Sequence, residues 1–463
     1  EERTGMKVIV CGAGQVGFHI ARQLSLENHD VAVVDSSEEN IRNVGDTLDV
    51  QSIMGFASDP DVLERANAAD ADMLIAVTQS DEVNMVACQV AHSLFNVPTK
   101  LARVRNQSYL QPIWADLFSR DHMPIDVIIS PELEVARAIS RDLLVPGAFE
   151  AIPMAEGRVR VIGVRCNDDC PVINTPLRQL TGVFPDLAIV VVGIIRDGET
   201  IVPTADEQML AGDDVYFVAD NEHVTRAMTI FGHEERQARR IIVAGGGNVG
   251  IFLAQLIRDE HPGVTTHIIE SDRSHAERAA RRLPDVTIIH GNALDPEILE
   301  EAGVGVTEAI VAVTNDDETN ILGSLLAKRH GAQRAIALVN NTNYSPLITT
   351  LGVDAVISPR SITASTILQH VRRGRIRAVH SLGEDLGEVM EADILETSSL
   401  VGEAIGKMDL PDGVMVGAIV REDTVITPRS DTVVNKGDRI VIFVRPTAVR
   451  EVERLFAVSL EFF

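Results

Sequence analysis

The sequence predicts an α/β protein with two doubly wound parallel-sheet domains, each followed by a smaller, β-rich α+β domain. Three observations lead to this prediction. At two places in the chain an apolar, strand-like run leads directly into a glycine-rich turn and then into a helical pattern. After each turn, apolar runs alternate with helical segments, which is typical of parallel strands joined by crossover helices. Each alternating region is followed by short β-type segments that are separated by turns.

The first glycine-rich turn has the G-x-G-x-x-G spacing of a dinucleotide-binding loop. Gly12 permits a tight turn, Gly14 leaves room for a pyrophosphate, and Gly17 lets the following helix pack closely on the sheet. That helix would offer its N-terminal amide groups to the anion. The next apolar run, Val31 to Val34, ends on Asp35, where a ribose-binding carboxylate is expected about 20 residues further on.

A second copy of this turn makes the signal strong. Gly245, Gly247 and Gly250 repeat the spacing, and Glu270 ends the apolar run that follows, at the place of Asp35. A single match to the motif would be weak evidence. Two matches, each with an acid at the end of the next apolar run, predict two copies of one Rossmann-like module.

Polar residues also follow two later strands of the first module. Thr78 and Gln79 come directly after the fourth predicted strand, and Arg103 ends the fifth. Because ligands of doubly wound sheets bind outside the carboxyl ends of the strands, these side chains are predicted to line the crevice in which a nicotinamide or a phosphate would lie. Arg103 is the cation placed to reach it, and the alternative is a surface arginine without a ligand.

Repeated landmarks divide the sequence into four predicted domains. They are a nucleotide-binding domain at 6–130, a connector helix with a β-rich domain at 131–232, a second nucleotide-binding domain at 238–358, and a second connector helix with a β-rich domain at 359–463. The first connector is predicted as a helix from Pro131 to Leu144. A basic run, Arg372 to Arg377, follows the second connector; such runs are usually solvated helix ends, and docking to an acidic partner is the alternative.

Charge and cysteine content exclude several classes of protein. A formal net charge of -27 repels phosphate backbones, so nucleic-acid binding is not expected, whereas local amide dipoles can still hold a free nucleotide. Four cysteines are too few for a disulfide framework and fit a reducing cytoplasm. Cys166 and Cys170 could pair or bind a metal, but without C-x-x-C spacing or a complementary Cys/His pair we expect plain thiols and no metal site. The longest apolar run, Leu187 to Ile195, is far short of the roughly 20 residues that cross a bilayer.

These motifs and the alternating domain order resemble the TrkA family of tandem RCK proteins, which are cytoplasmic regulatory subunits of bacterial Trk potassium-uptake systems. The resemblance covers the chain from Met6 to its end. It implies binding of NAD(H) and of adenine nucleotides such as ATP or ADP, assembly into a homo-oligomeric ring that is expected to be a tetramer, and control of a membrane potassium transporter. It also implies a cytoplasmic protein that is peripheral to the inner membrane through its transporter partner.

The resemblance assigns cofactor-binding positions residue by residue. The first site comprises Gly12, Ala13, Gly14, Gln15, Val16, Gly17, Asp35, Thr78, Gln79 and Arg103. The second comprises Gly245, Gly246, Gly247, Asn248, Val249, Gly250 and Glu270, with Thr314 and Asn315 added by internal alignment. Aligning Tyr109 with Tyr344 places Leu338 opposite Arg103, so the second site is predicted to lack that cation.

The rival function is an NAD-dependent oxidoreductase that uses the nucleotide-binding domains for hydride transfer, since fold alone does not decide function. Such an enzyme needs acid and base groups on a second domain. His223 and His233 lie on polar stretches of the first β-rich domain, away from any catalytic lysine or aspartate motif. The sequence therefore favours regulation, with no catalytic residue.

Overall fold

The computed structural model describes the greater part of the chain. The described residues are 5–143, 145–184, 187–234, 237–341, 344–371, 376–382, 386–396, 398 and 400–456. Leu144, the predicted last residue of the first connector, and Arg372 to Arg375 of the predicted basic run lie outside them.

The first nucleotide-binding module is a six-stranded parallel sheet in the order β3-β2-β1-β4-β5-β6. Its strands are β1 Lys7–Cys11, β2 Asp30–Asp35, β3 Gln51–Met54, β4 Met73–Ala76, β5 Thr99–Arg103 and β6 Val127–Ile129. Its helices are α1 Gln15–Leu26, α2 Glu38–Thr47, α3 Pro60–Arg65 and α4 Asp81–Phe95, and α5 Pro131–Leu143 follows the last strand. The central strand β1 is apolar and almost wholly buried because helices cover both faces of a parallel sheet.

The first β-rich domain is a five-stranded antiparallel sheet in the order β10-β9-β11-β8-β7. The elements are β7 Ala148–Met154, β8 Val159–Arg165, α6 Leu177–Val183, β9 Ile189–Arg196, β10 Glu199–Ile201, β11 Asp214–Asp220 and α7 Val224–Ile230. An apolar cluster lies on one face of this sheet and includes Phe217 stacked on Phe231.

The second nucleotide-binding module repeats the first, with the strand order β14-β13-β12-β15-β16-β17. Its strands are β12 Arg240–Ala244, β13 Thr265–Glu270, β14 Thr287–His290, β15 Ala309–Ala312, β16 Arg334–Leu338 and β17 Ala355–Ile357. Its helices are α8 Asn248–Glu260, α9 Arg273–Arg282, α10 Pro296–Glu301, α11 Asp317–Arg329, α12 Ser345–Leu351 and α13 Pro359–Val371.

The second β-rich domain is again antiparallel, in the order β18-β19-β22-β20-β21. Its elements are β18 Ile376–Leu382, β19 Gly387–Asp393, β20 Val414–Arg421, β21 Thr424–Ile426, β22 Arg439–Val444 and α14 Val449–Leu455. The prediction of two doubly wound sheets, each followed by a β-rich domain, is confirmed.

The chain divides into two compact units, Glu1–Glu134 with Arg360–Arg372 and Val135–Pro359 with Arg373–Phe463. Helix α13 therefore belongs to the unit of the first parallel sheet, although it follows the second sheet along the chain. Its apolar side chains are buried in the same cluster as those of β1, β2 and α1; they are Ala364, Ile367, Leu368 and Val371. This helix supplies part of the core of the first module.

Candidate functional site

The first glycine-rich turn connects β1 to α1, and packing requires glycine at two of its motif positions. Gly12 has a φ of 107°, a region that favours glycine. A Cβ atom on Gly12 would also lie 2.9 Å from the backbone nitrogen of Thr78. A Cβ on Gly17 would lie only 1.7 Å from the carbonyl oxygen of Gly12. The fold by itself therefore accounts for glycine at positions 12 and 17.

Gly14 is different, because the protein itself leaves room for a side chain there. Its φ of -66° and ψ of -175° suit any residue, and a Cβ atom would meet nothing within 4 Å. Gly14 is the N-cap of α1, and no side chain caps that helix end. The first amide groups of α1 thus face a surface kept bare of side-chain atoms, which is the arrangement that binds a phosphate.

The carboxylate of Asp35 is fixed beside this turn at the end of β2. Its Oδ2 accepts a hydrogen bond from the backbone N–H of Ala13 at 2.6 Å, and its Oδ1 accepts one from that of Ser37 at 2.7 Å. Oδ2 also accepts from the Asn40 side chain at 3.4 Å. A carboxylate has about four lone-pair sites, so Oδ1 keeps capacity to accept from a ligand hydroxyl. Asp35 therefore combines a fixed orientation with unused acceptor capacity.

A polar network joins the carboxyl ends of β4 and β5. The Asn84 side chain accepts from the backbone N–H of Thr78 at 2.8 Å and from its Oγ1 at 2.7 Å. The same amide donates to the carbonyl oxygen of Arg103 at 2.9 Å. Asn84 is fully buried, so it holds the two strand ends, and with them Thr78 and Arg103, in a fixed relation.

The guanidinium of Arg103 lies beside Thr78, at the carboxyl end of β4. Its Nη2 donates to the carbonyl oxygen of Thr78 at 2.7 Å, while its Nε is buried without a hydrogen-bond partner in the described part of the chain. Burial, and then the like charge of Arg105, lower the pKa of Arg103. A half-buried, incompletely paired cation beside Thr78 can gain from an anionic ligand. Gln79, the next residue, is exposed.

The second turn, between β12 and α8, has the same geometry. Gly245 has a φ of 121°, and a Cβ on it would lie 2.9 Å from the carbonyl oxygen of Val313. A Cβ on Gly250 would lie 2.0 Å from the carbonyl oxygen of Gly245. Gly247 has open space around it, as Gly14 does, and is the uncapped N-cap of α8.

Glu270 occupies the place of Asp35 with a longer side chain. Its Oε2 accepts from the backbone N–H of Gly246 at 2.6 Å, and its Oε1 accepts from that of Asp272 at 2.8 Å. A Cβ on Gly246 would lie 3.0 Å from the Cβ of Glu270 and 3.2 Å from its Cγ, the extra methylene carbon. Gly246, where the first turn has Ala13, thus makes the room that the extra methylene group of glutamate needs.

The network at the strand ends is also repeated, with one change. Asn320 accepts from the backbone N–H of Thr314 at 2.8 Å and donates to the carbonyl oxygen of Leu338 at 2.8 Å. Leu338 therefore stands where Arg103 stands in the first module, and it is buried. Arg273, a cation that could have replaced it, has an 83% exposed side chain that donates to Glu277 on its own helix.

The other predicted positions lie in or beside the same turns. Ala13 and Gly246 are buried under the carboxylates; Gln15 and Asn315 are exposed; Val16, Asn248 and Val249 are partly buried in the first turns of α1 and α8.

The residues that hold these strand ends were not predicted from the sequence. Besides Asn84 and Asn320, Asp81 accepts backbone N–H groups of the loop after β5, and Asp317 does the same after β16. The signal was present, because Thr, Asp and Asn recur at identical spacing in the segments 78–84 and 314–320.

Two features are absent from the described residues. No group of three or more His, Cys, Asp or Glu side chains in that part of the chain could hold a metal ion. None of the helices described there has the length and apolar character needed to cross a membrane.

Solved structures with a similar fold include the GsuK RCK domain, with a TM-score of 0.59 and 18% identity over 98% of this chain and 96% of that one. The GsuK channel bound to NAD gives a TM-score of 0.58 and 19% identity over 98% of this chain and 79% of that one. At this level of identity the likeness concerns the fold.

Two domain families match the sequence, each twice. The TrkA-N domain matches residues 8–131 and 241–359. The TrkA-C domain matches residues 161–232 and 389–457.

Two relatives match over nearly their whole length. The Trk system potassium uptake protein TrkA of Azorhizobium caulinodans is 51% identical over 99% of this chain and 100% of its own. The protein of the same name from Halomonas elongata is 40% identical, again over 99% and 100%. The two domain families alternate along the chain, and the relatives match it from end to end. The chain therefore belongs to the TrkA family.

Proposed function

We propose that this protein is the nucleotide-binding regulatory subunit of a membrane potassium-uptake transporter of the Trk type. The observation that carries the proposal is the pair of bare glycine turns, at Gly14 and Gly247, in a chain of this family. Each turn joins an uncapped helix end to a fixed carboxylate. This combination fits an adenine nucleotide, with its phosphates at the helix and its ribose at the acid.

In the first site the proposed ligand is NAD or NADH. The pyrophosphate lies over Gly14, the adenosine ribose donates its hydroxyl groups to Asp35, and the far end of the dinucleotide reaches Thr78, Gln79 and Arg103. Asp35 also disfavours NADP, because a 2′-phosphate would meet its negative charge.

In the second site the adenosine end is equivalent and the phosphate end is weaker. Glu270 presents its carboxylate as Asp35 does, whereas Leu338 offers no charge where the first site has Arg103. ATP, ADP or NAD can bind there through the helix amides and Glu270, with lower affinity for the pyrophosphate.

Regulation, with no chemical step, is the proposed output. A nucleotide changes the state of the transporter only to the extent that it binds two conformations of the protein with different affinity. We propose a closed homo-oligomeric ring, a tetramer, that is cytoplasmic and reaches the inner membrane through its transporter. Exposed apolar side chains such as Ile113, 74% exposed, and Trp114, 55% exposed, support contact with another chain.

We propose that the chain consists of four domains, at residues 6–130, 131–232, 238–358 and 359–463. Two of them bind nucleotides and two are β-rich, and substitutions in the full chain can test each domain separately.

The test is purification of the tagged full chain from detergent-solubilised membranes, followed by potassium uptake in liposomes that contain the recovered transporter. We expect a potassium transporter to co-purify and its uptake to change when NADH or ATP is added. The matched control is the double variant Asp35→Ala, Glu270→Ala, which should still co-purify and lose the nucleotide response. Recovery of no transporter would count against the proposal.

An oxidoreductase is the rival, and a simple assay separates it. The full chain is incubated with NADH and a panel of carbonyl substrates while absorbance reports cofactor oxidation. We expect none above the background without protein. Turnover that is lost in Asp35→Ala would replace regulation by catalysis.

A further inference from the structure

Two cysteines lie together in the turn that follows β8 in the first β-rich domain. Cys166 and Cys170 are four residues apart and both are buried, whereas the three residues between them are exposed. The backbone N–H of Cys170 donates to the carbonyl oxygen of Asn167 at 3.0 Å, which closes the turn. Both sulfur atoms therefore lie directly beneath a surface turn.

Both side chains pack in one apolar cluster beneath the turn, close enough to interact. The interaction with Cys166 lowers the pKa of Cys170 below its ordinary value, against the opposing effect of burial. The backbone N–H of Val172 and the nearby imidazole of His233 also favour the thiolate of Cys170. The same interaction and burial raise the pKa of Cys166. One sulfur is thus poised as a nucleophile beside a second that can react with it.

We propose that Cys166 and Cys170 are a redox modification site, at which a peroxide converts the two thiols into a reversible disulfide. The thiolate of Cys170 attacks one oxygen of hydrogen peroxide, and the O–O bond breaks to give a sulfenic acid and hydroxide, which takes up a proton to become water. Cys166 then attacks the sulfenic sulfur, loses its thiol proton and expels the hydroxyl group as a second water. The two sulfurs lose two electrons, and the peroxide gains them.

The second β-rich domain shows that the turn does not need sulfur. Ile394 and Ser398 occupy the places of Cys166 and Cys170. The N–H of Ser398 donates to the residue three before it at 3.0 Å, as in the first turn. The N–H of Gly437 donates to the carbonyl oxygen of Ile394 at 2.9 Å, which matches the 2.7 Å bond from Gly212 to Cys166. These backbone hydrogen bonds are formed with an aliphatic and a hydroxyl side chain at the two positions.

The other two cysteines form an internal reference. Cys11 and Cys88 are fully buried in the first nucleotide-binding module. Burial raises the pKa of both thiols, that of Cys88 to about 12, and the Cys88 thiol donates to the carbonyl oxygen of Leu101. Thiols in this state are inert towards peroxide. One chain therefore contains a reactive pair and an unreactive pair.

The test uses the full-length, reduced protein. It is exposed to hydrogen peroxide, quenched with an alkylating reagent in denaturant, digested and mapped by mass spectrometry. We expect a disulfide-linked peptide that joins Cys166 to Cys170 and disappears after dithiothreitol, while Cys11 and Cys88 remain alkylated. Absence of the linked peptide at peroxide levels that oxidise exposed methionine would overturn the proposal, and so would equal oxidation of all four cysteines.

Matched variants separate the two sulfurs. Cys170→Ser copies Ser398 of the second domain and should abolish the linked peptide. Cys166→Ser removes the second sulfur but keeps a hydrogen-bond donor beside Cys170, so it should leave Cys170 as a sulfenic acid that dimedone traps. Thermal melts check that both variants fold. Failure of Cys170 to react with dimedone in the folded Cys166→Ser protein contradicts its role as the nucleophile.

Discussion

The two nucleotide-binding turns hold a carboxylate in the same position with different side chains. The first pairs Ala13 with Asp35, and the second pairs Gly246 with Glu270. The second turn residue is one carbon atom smaller than the first, and the second acid is one carbon atom longer. The hydrogen bond from the turn amide to the carboxylate is 2.6 Å in both turns. The two turns therefore share the position of the carboxylate. The size of the turn residue matches the length of the acid, so alanine goes with aspartate and glycine with glutamate.

At the strand ends, by contrast, the hydrogen bonds are the same and the charge differs. Asn84 and Asn320 make equivalent hydrogen bonds, yet the residue whose carbonyl they hold is Arg103 in one module and Leu338 in the other. Arg273 does not compensate for the lost charge, since it pairs with Glu277. In the proposed sites the adenosine ends are therefore alike, while the phosphate ends differ.

The largest expected effect separates the glycines that the fold requires from those that a ligand requires. Gly17→Ala and Gly250→Ala place a methyl group on a carbonyl oxygen and should destabilise the protein by about 3 kcal/mol or more. Gly14→Ala and Gly247→Ala should leave the melting temperature nearly unchanged and weaken nucleotide binding. Thermal melts with and without NADH measure both. A Gly14→Ala protein that binds NADH normally would remove Gly14 from the site.

The next effect concerns the acids. Asp35→Ala removes an ionised acceptor for the ribose hydroxyls, which is worth roughly 1.5 to 3 kcal/mol, so NAD(H) affinity should fall tenfold or more. Calorimetry on the full chain measures it, with Glu270→Ala as the matched change in the second site. The wild type should bind NADP more weakly than NAD, and equal affinities would contradict the role of Asp35.

Arg103→Leu tests the difference between the sites directly, because it gives the first site the residue of the second. Loss of one charge-assisted contact should reduce NADH affinity by about tenfold, at the lower end of roughly 1.5 to 3 kcal/mol. Titration of the wild type should show two unequal sites, and the variant should bring them closer together. Two identical sites that the substitution leaves unchanged would disprove the asymmetry.

The smallest expected effect tests the compensation between turn and acid. Asp35→Glu should weaken binding, because the methyl group of Ala13 occupies the space that Gly246 leaves open for Glu270. Adding Ala13→Gly should restore much of the loss, with a coupling energy of roughly 0.5 to 3 kcal/mol. Additive effects of the two changes in a double-mutant cycle would show that the pairs are independent.

The sequence was sufficient for the features that local chemistry determines. The glycine turns, the acids after β2 and β13 and the parallel strand order follow from spacing and from buried apolar runs. Strand β7 was not predicted, because it pairs on one side only and contains Pro153, which weakens the pattern of a strand. The roles of Asn84 and Asn320 depend on which strand ends become neighbours, and a single sequence does not contain that information.

The position of α13 has a consequence for the synthesis of the protein. When the ribosome has completed Glu134, the helix that covers part of the first sheet has not been made, because residues 135–359 must come first. At about 5 to 20 residues per second, the delay is on the order of ten seconds or more. During this time α13 is missing, and the apolar side chains that Ile367 and Leu368 later cover stay uncovered by it. The nascent first module therefore offers chaperones a binding surface, and a gene fragment that encodes this module alone should yield an aggregation-prone product.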